Sequence, residues 1–528
     1  MNGSAGAPLL AGVDVGSTHC KAVLTDLSGH VVARAQRDTP RGAGGHTHPT
    51  ARLLGAALEA LGSCVRRAGC PPVAIGLTGM AEAGALLAPD GSALTPVLAW
   101  SDPAPAGHAD RLGAAHGART LHSRTGVLPS AKTPLAKWCA LADEHPDLPA
   151  RASAWAGAAD LVAHALTGSL GTDATFAQRT MAWSPHTRSW QHDLLAEAGL
   201  TEDHMPPVRP PGRPVGRVTA EAAAATGLAA RTPVVIAGHD HLVGAWAAGV
   251  RRPGQVADSM GTAEAVLTVS AEPPDPAAAL QGMSYGRHVD GSHWIVLAGM
   301  RSSGALVEWF CDRYMGLGDA PGAARYEAFA RLVAAAPEEP TGLVALPYPD
   351  GRSCPDPDPH ARCDVLGLGP DHGLPELARA LLEGAAHHAR WMTDTQAGLT
   401  GHRPQAVTLL GGSTRQQAWT RIKAAVSPWP TLLCREPEAP ALGAAAWAGA
   451  AVGHDPAAWH TTTEPLPQPP EARAYRAAHR HGFLPRVTGP GPYATPPGAP
   501  PTEPRPPDPA PHATGVRDGH ARPRGERS

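Results

Sequence analysis

The chain opens on three short apolar-rich runs, Leu9–Val15, His19–Asp26 and His30–Gln36. Between them lie Gly16-Ser17-Thr18 and Leu27-Ser28-Gly29, small or polar residues that favour tight reversals, so the pattern predicts a β-meander. From 51 to 69 the period changes. Leu53, Leu54, Ala57, Leu58 and Leu61 recur at helical spacing and predict a helix packed by one face. Val73–Leu77 and Leu94–Trp100 read as further strands, and residues 103–230 mostly as helices and loops.

A second strand-rich block begins at Thr232 and resumes over Gln255–Ser270. Helical patterns follow near 304–315 and 374–399. The apolar strand Ala406–Leu410 ends in Gly411-Gly412, and helices are predicted over Gln416–Val426 and Ala441–Val452. The two blocks echo each other: Asp14-Val-Gly-Ser-Thr18 leads into Ala22-Val-Leu-Thr25, and Asp258-Ser-Met-Gly-Thr262 into Ala265-Val-Leu-Thr268. Each reads as strand, small-residue turn, strand, and two such turns facing each other would make a clamp.

Composition narrows the class. The 528 residues suffice for two domains, and 43% of them are hydrophobic. Only 4% are aromatic, so Ala, Val and Leu must build the core. A net charge of -3 supplies no basic surplus for a nucleic acid backbone. The 8 cysteines contain no CxxC pair, which favours reduced thiols over a zinc ribbon or redox dithiol. The N-terminus lacks a basic flank followed by an apolar run of signal length. The apolar stretches near 234–250 and 441–453 are too short or too broken to span a bilayer. A soluble cytoplasmic protein with no nucleic acid or membrane partner is expected. Residues 1–8 read as a loose leader. Beyond about 465 Pro, His, Arg and Gly take over, and most of 487–528 has too few apolar side chains to offset ordering entropy.

Four turns could carry chemistry. In Gly12-Val-Asp14-Val-Gly16-Ser17-Thr18-His-Cys-Lys21 the turn N–H groups and hydroxyls suit phosphate oxygens, and the Asp suits a hydrated magnesium ion. The turn joins two strands, so it is neither a Walker A loop nor a dinucleotide fingerprint, both of which open a helix. A plain hairpin would show the same residues. Asp258-Ser-Met-Gly261-Thr262-Ala-Glu264 is the second such turn. In the third, Gly411-Gly412-Ser413 ends a strand and opens a helix, a place that suits a nucleotide's sugar and α-phosphate. In the fourth, Ala237-Gly238-His239-Asp240-His241 precedes a small-residue helix. Asp240 there is either an N-cap or a general base. The two histidines invite a metal reading, with only Asp240 as a nearby carboxylate.

The order of these pieces resembles the FGGY carbohydrate kinase family across about residues 9–453. The pieces are GVDVGSTHCK at 12–21, GLTGMAE at 76–82, AWSD at 99–102 and LTGSLGTDATFAQRT at 166–180. AGHDHLVGAWAAG at 237–249, DSMGTAE at 258–264, LPYPDGRSCPDPDP at 346–359, LLGGSTRQQAWTRIKA at 409–424 and EAPALGAAAWAGAAVG at 438–453 complete the series. The resemblance implies an α/β fold with two RNase H-like, actin-like domains flanking a cleft. A sugar-binding N-terminal domain would span 9–250 and an ATP-binding C-terminal domain 251–455; beyond the resemblance, composition makes 466–528 a Pro-rich, disordered tail. The resemblance makes Asp240 the catalytic base and places Asp14 near Mg²⁺. The phosphate turns would be Gly16, Ser17 and Thr18, with Lys21, and Gly261 and Thr262. Gly411, Gly412 and Ser413 would hold the nucleotide, and Met80, Glu82, Trp100, Asp102 and His239 would line the sugar pocket. ATP and Mg²⁺ are the implied cofactors, a small sugar or polyol the partner, and a homodimer is compatible.

By that resemblance Asp240 takes the proton of the substrate hydroxyl as it attacks the γ-phosphorus, while domain closure expels competing water. Departures concern the acceptor. Pro103-Ala104-Pro105 stands where many relatives carry arginine after the W-x-D element, Ala81 replaces an arginine common in the glycerol-specific branch, and Gly351-Arg352-Ser353 replaces a frequent Gly-Glu-Arg. Glycerol is therefore disfavoured and a ketopentose such as xylulose favoured. A deoxyketose, a tetritol or an aldonate is the alternative within enzymes, and an actin-like ATP and sugar sensor the alternative outside them.

Overall fold

The computed structural model describes residues 7–458 and 460–489. Two mixed sheets organise it, each starting from one of the echoing hairpins. The first has six strands in the order Pro214–Arg217, Pro233–His239, Ala74–Gly79, Leu10–Val15, His19–Thr25, Val31–Asp38. Its middle three are parallel and its outer neighbours antiparallel. The second runs Ser284–Arg287, Trp294–Met300, Glu264–Ser270, Gln255–Met260, Ala406–Leu410, Thr431–Cys434, Thr463–Leu466. It repeats the plan of an antiparallel meander running into parallel strands. The parallel strands are buried on both faces and read as continuous apolar runs, as in Val407-Thr-Leu-Leu410.

Two helices join the sheets. Asp240–Ala247 leaves the first sheet, and Ala439–Ala450, from late in the chain, packs back on it. The second helix is built from Ala, Gly, Leu and one Trp and is apolar on nearly every side. Such small residues let backbones approach closely. A side chain added at Gly12 would strike the carbonyl of Ala441, and one at Gly76 the carbonyl of Ala444. The first block also carries a helical insert with its own core of Trp138, Trp155, Trp183 and Trp190, where Trp138 and Trp155 meet edge to face at 5.3 Å.

Several boundaries differ from the expectation. The strand expected over 94–100 shortens to Val97–Leu98, because the chain turns out of the sheet at Ala99 to bring Trp100 and Asp102 to the cleft. The strands Ser284–Arg287 and Trp294–Met300 and the helix Gly322–Ala334 were not foreseen. The tail is corrected too. Order does not stop at 466: Ala472–Ala478 and Leu484–Thr488 are helical, joined by a π-turn. Tyr475, Phe483 and Val487 are buried, with Phe483 stacked on His479 and near Trp391 of the long helix Leu374–Thr400. These few apolar residues suffice because they recur where one helical turn can present them to a preformed surface. Residues 490–528, most of the expected tail, and most of the expected leader lie outside the described residues. No helix among the described residues is long and apolar enough to cross a membrane, and all eight cysteines are free thiols.

Candidate active site

The ends of the parallel strands from both sheets open on one cavity of about 1240 Å³. From the first block it is lined by Asp14, Gly16, Ser17, Thr18, Lys21, Met80, Glu82, Trp100, Asp102, His239 and Asp240, and from the second by Gly261, Thr262, Gly412 and Ser413. Every residue that the resemblance assigns to the site is thus gathered there except Gly411, which lies behind the lining; Asp258 of the second turn is buried beneath it. Gly411 sits at φ 99 against the backbone of Met260, a position no side chain could occupy.

The first hairpin places Asp14 opposite Lys21 in the ladder. Lys21 does not close on Asp14. Its Nζ lies 3.0 Å from Glu438, at the start of the Ala439–Ala450 helix. Asp14 is buried with Oδ1 lacking any partner. Its carboxyl is raised, chiefly by burial and next by the charge of Asp240.

Asp240 reaches the cavity through a bulge. Strand Pro233–His239 slips register between Ile236 and Gly238, and Gly238 adopts φ 119 with Thr175 and Asp173 packed where a side chain would be. Thr78 Oγ1 donates to the Gly238 carbonyl at 2.6 Å. Thr175 donates to Asp173 at 2.5 Å and accepts from the His239 N–H at 2.8 Å. The chain is thereby turned so that Asp240 begins the helix with its carboxylate toward solvent space in the cleft. One oxygen, Oδ1, accepts from the His241 N–H at 2.6 Å and lies 3.3 Å from His239 Nε2. Burial above all, with the Glu82 charge, raises Asp240, while that N–H and Lys21 oppose the rise. Burial also holds His239 well below the usual imidazole range and pushes His241 down to about 4, so both are neutral near pH 7. The possible ligand atoms of His239, Asp240 and His241 lie within 4.8 Å of one another. His241 Nδ1 meets Ser259 Oγ at 2.9 Å, tying this helix to the second hairpin.

Glu82 holds a left-handed backbone at φ 63, and its carbonyl accepts from Lys137 Nζ at 2.6 Å. Its carboxylate accepts from Arg179 Nε at 3.0 Å. Burial alone would raise Glu82, but Arg179, Lys132 and Lys137 together hold it below the usual carboxylate range. Asp102 accepts from the Ala104 N–H at 3.0 Å and so also caps a turn. Sequence reasoning assigned no role to Arg179, Lys132 or Thr175. Arg179 and Thr175 stood inside a quoted segment, 166–180, without anything in their spacing to show that Arg179 lines the cleft or that Thr175 props His239 from behind.

On the opposite wall, the second turn is braced from behind. Gly304 N and Ala305 N, at the start of helix Gly304–Met315, donate to the carbonyls of Gly261 and Thr262 at 3.0 and 2.9 Å. Ser413 Oγ lies 3.4 Å from the Gly261 carbonyl, so the Gly412–Arg415 turn and this turn are neighbours. The arrangement offers two small-residue turns, a recessed carboxyl pair and a polar chamber around Glu82, all facing one space.

Comparison with known proteins agrees with this geometry. Residues 9–247 match the N-terminal domain of the FGGY family of carbohydrate kinases, and residues 256–452 its C-terminal domain. A xylulose kinase of Streptomyces rubiginosus is 29% identical over 477 residues, covering 88% of this chain and 93% of that protein. A glycerol kinase of Aromatoleum aromaticum is 30% identical over 461 residues, covering 84% and 90%. The crystal structure of xylulose kinase from Rhodospirillum rubrum superposes with a TM-score of 0.77 at 29% identity, covering 89% of this chain and 97% of that one.

Proposed function

This chain belongs to the FGGY family of carbohydrate kinases, and from that premise we propose that it moves the γ-phosphoryl group of ATP in line onto one hydroxyl of a small sugar or polyol, with a ketopentose such as xylulose as acceptor and Asp240 as general base. The observation that carries the reading is the position of Asp240. It lines the same cavity as Met80, Glu82 and Trp100 and as the turns Gly16–Thr18 and Gly261-Thr262. Its Oδ1 is engaged by the His241 N–H, which leaves Oδ2 to accept the acceptor's proton. As a carbohydrate kinase the protein draws on ATP as phosphate donor. The phosphates lie between the two turns, and the Gly412-Ser413 segment takes the nucleoside side.

The recessed Asp14, with a buried oxygen lacking any partner beside a second carboxyl, fits a divalent cation. Mg²⁺ held there by Asp14 would neutralise charge on the phosphate oxygens. Most of the acceleration beyond proton removal comes from alignment of the acceptor hydroxyl by the pocket side chains. Xylulose is favoured by the relatives that carry that name and by Ala81, which leaves the chamber without an arginine at that position. An aldonate is the second reading, favoured by Lys132, whose charge reaches both Glu82 and His239.

The test is a coupled ADP-release assay over ketopentoses, deoxyketoses, polyols and aldonates, run on the parent and on Asp240→Asn. The variant should lose about 10²–10⁴-fold in turnover while still binding ATP. Turnover equal to the parent's on the best acceptor would remove Asp240 from the role of base.

A further inference from the structure

Three charged side chains that this chemistry does not use converge beneath the second turn. Lys423 Nζ lies 2.6 Å from Asp258 Oδ2 and 2.6 Å from Glu264 Oε1, and none of the three is more than 4% exposed. They come from three elements: strand Gln255–Met260, strand Glu264–Ser270 and helix Gln417–Val426. The layer around them is apolar, with Val256, Met260, Val266, Trp419 and Ile422. Asp258 Oδ1 and Glu264 Oε2 are buried there without hydrogen-bond partners.

Two carboxylates on one ammonium in such a layer carry a large desolvation cost, and apolar side chains of similar volume would hold the same elements together at least as well. Fold stability therefore does not account for the cluster. Its location does. Glu264 faces Met260 in the ladder and closes the loop that contains Gly261 and Thr262. The helix that carries Lys423 starts directly after the Gly412–Arg415 turn. Gly411 rests on the Met260 backbone, and Ser413 reaches the Gly261 carbonyl. One ammonium thus fastens both strands of the hairpin to the helix that presents the nucleotide segment.

We propose that Asp258, Lys423 and Glu264 form a positioning device that sets the Gly261-Thr262 turn in register with the Gly412-Ser413 segment for ATP. The inference rests on reading those two segments as the ATP side of the cleft. A second property follows from the charge count. Burial, and then the Asp258 charge, raise the Glu264 carboxyl to about 8, so near neutral pH Glu264 holds its proton and the three groups together carry no net charge. Asp258 and Lys423 are the charged groups facing Glu264. His388 of the long helix lies near Lys423 and is kept uncharged by burial. Loss of the Glu264 proton as pH rises leaves a net negative charge beneath the Gly261-Thr262 turn, so ATP affinity falls on the alkaline side.

The experiment measures binding of AMP-PNP with magnesium to the full chain by calorimetry, alongside the thermal midpoint. The neutral triple variant Asp258→Asn, Glu264→Gln, Lys423→Met keeps the volumes and removes the charges. It should melt near the parent yet bind AMP-PNP about tenfold more weakly. A cluster with a merely structural role would move the melting point and leave affinity alone, and that result overturns the proposal. Should the triple variant not fold, Glu264→Gln alone decides. The parent weakens between about pH 7 and 9 and this variant does not; a variant that follows the parent's curve overturns the proposal. Thr262→Val separates the two readings. If it binds like the parent, the turn is not an ATP site and the device falls with it. If it weakens binding while the triple variant does not, only the device is wrong.

Discussion

The two hairpins present the same ingredients in different order. Each gathers two carboxyl groups and one lysine. In the first, Asp14 and Lys21 face each other in the ladder, and Glu438 arrives from a helix. In the second, Asp258 and Glu264 belong to the hairpin and Lys423 arrives from the helix. The outcome differs because of where the lysine turns. Lys21 pairs with Glu438 and leaves Asp14 with an unpartnered oxygen, its carboxyl within reach of the Asp240 charge. Lys423 takes both acids of its own hairpin. One copy of the strand-turn-strand unit thus leaves a carboxyl oxygen of Asp14 without a partner, and the other ties both of its carboxyls to one lysine.

The sharpest way to break this comparison is to neutralise the same strand position in each copy. Asp14→Asn should cost about 10²–10³-fold in kcat, the scale of a lost charge-stabilising group in a closed site. It should leave the melting temperature level or higher, since it removes a buried acid without a full set of partners. Asp258→Asn keeps Lys423 paired with Glu264 and should act on the KM for ATP, by less than about tenfold, with kcat little changed. Equal losses of kcat in the two variants would show that both copies are chemical and the distinction false.

Much of this was legible in the sequence, and the reasons are particular. The strand Ala406–Leu410 and the helix near 304–315 announced themselves because an apolar period bounded by Gly is a local signal. So did the echo between Asp14 and Asp258, which became two sheets of one plan. What stayed hidden was pairing across the chain. Nothing in the segment 166–180 shows that Arg179 ends on Glu82, or that Thr175 props His239, because those partners are 97 and 64 residues away. Lys423 stands in the helix that follows Gly411-Gly412, and nothing in the sequence shows where its side chain turns. Only the fold turns it inward under a turn 159 residues earlier. The bulge at Gly238 could not be read either, since a glycine before a histidine is equally at home in a plain strand end.

A second, smaller effect separates the hairpins by pH. Lys21 lowers both Asp14 and Asp240, whose carboxyls burial otherwise raises. If Asp240 is the base, as proposed, it acts only when unprotonated, so kcat at saturating ATP should climb with pH through the raised Asp240 and then level off. Removing the positive charge with Lys21→Met lets the Asp240 carboxyl rise further. The acid limb should move to higher pH by up to about one unit. The sign is fixed: a move to lower pH, or none, would mean that Lys21 serves Glu438 alone. Glu264→Gln, in the other hairpin, should leave this limb where it is.

The smallest expected effect asks whether the two halves act independently. Gln178 spans them with one side chain. Its Nε2 donates to the Arg287 carbonyl at 3.0 Å, and its Oε1 accepts from the Arg287 N–H at 2.7 Å. It completes the ladder of the edge strand Ser284–Arg287 as a neighbouring strand would. The next residue in the chain is Arg179, which donates to Glu82 on the cavity wall. A side chain at Gly286 would collide with Gln178, so the contact is close and admits little slack. Gln178→Ala removes two hydrogen bonds worth about 0.5–1.5 kcal/mol each and frees the segment that aims Arg179. The KM for the acceptor should rise about two- to fivefold while the KM for ATP holds, because the second hairpin is braced from elsewhere by Gly304 and Lys423. If the KM for ATP rises in step with that for the acceptor, the seam transmits between the halves, and the division of labour between the hairpins must be redrawn as one coupled unit.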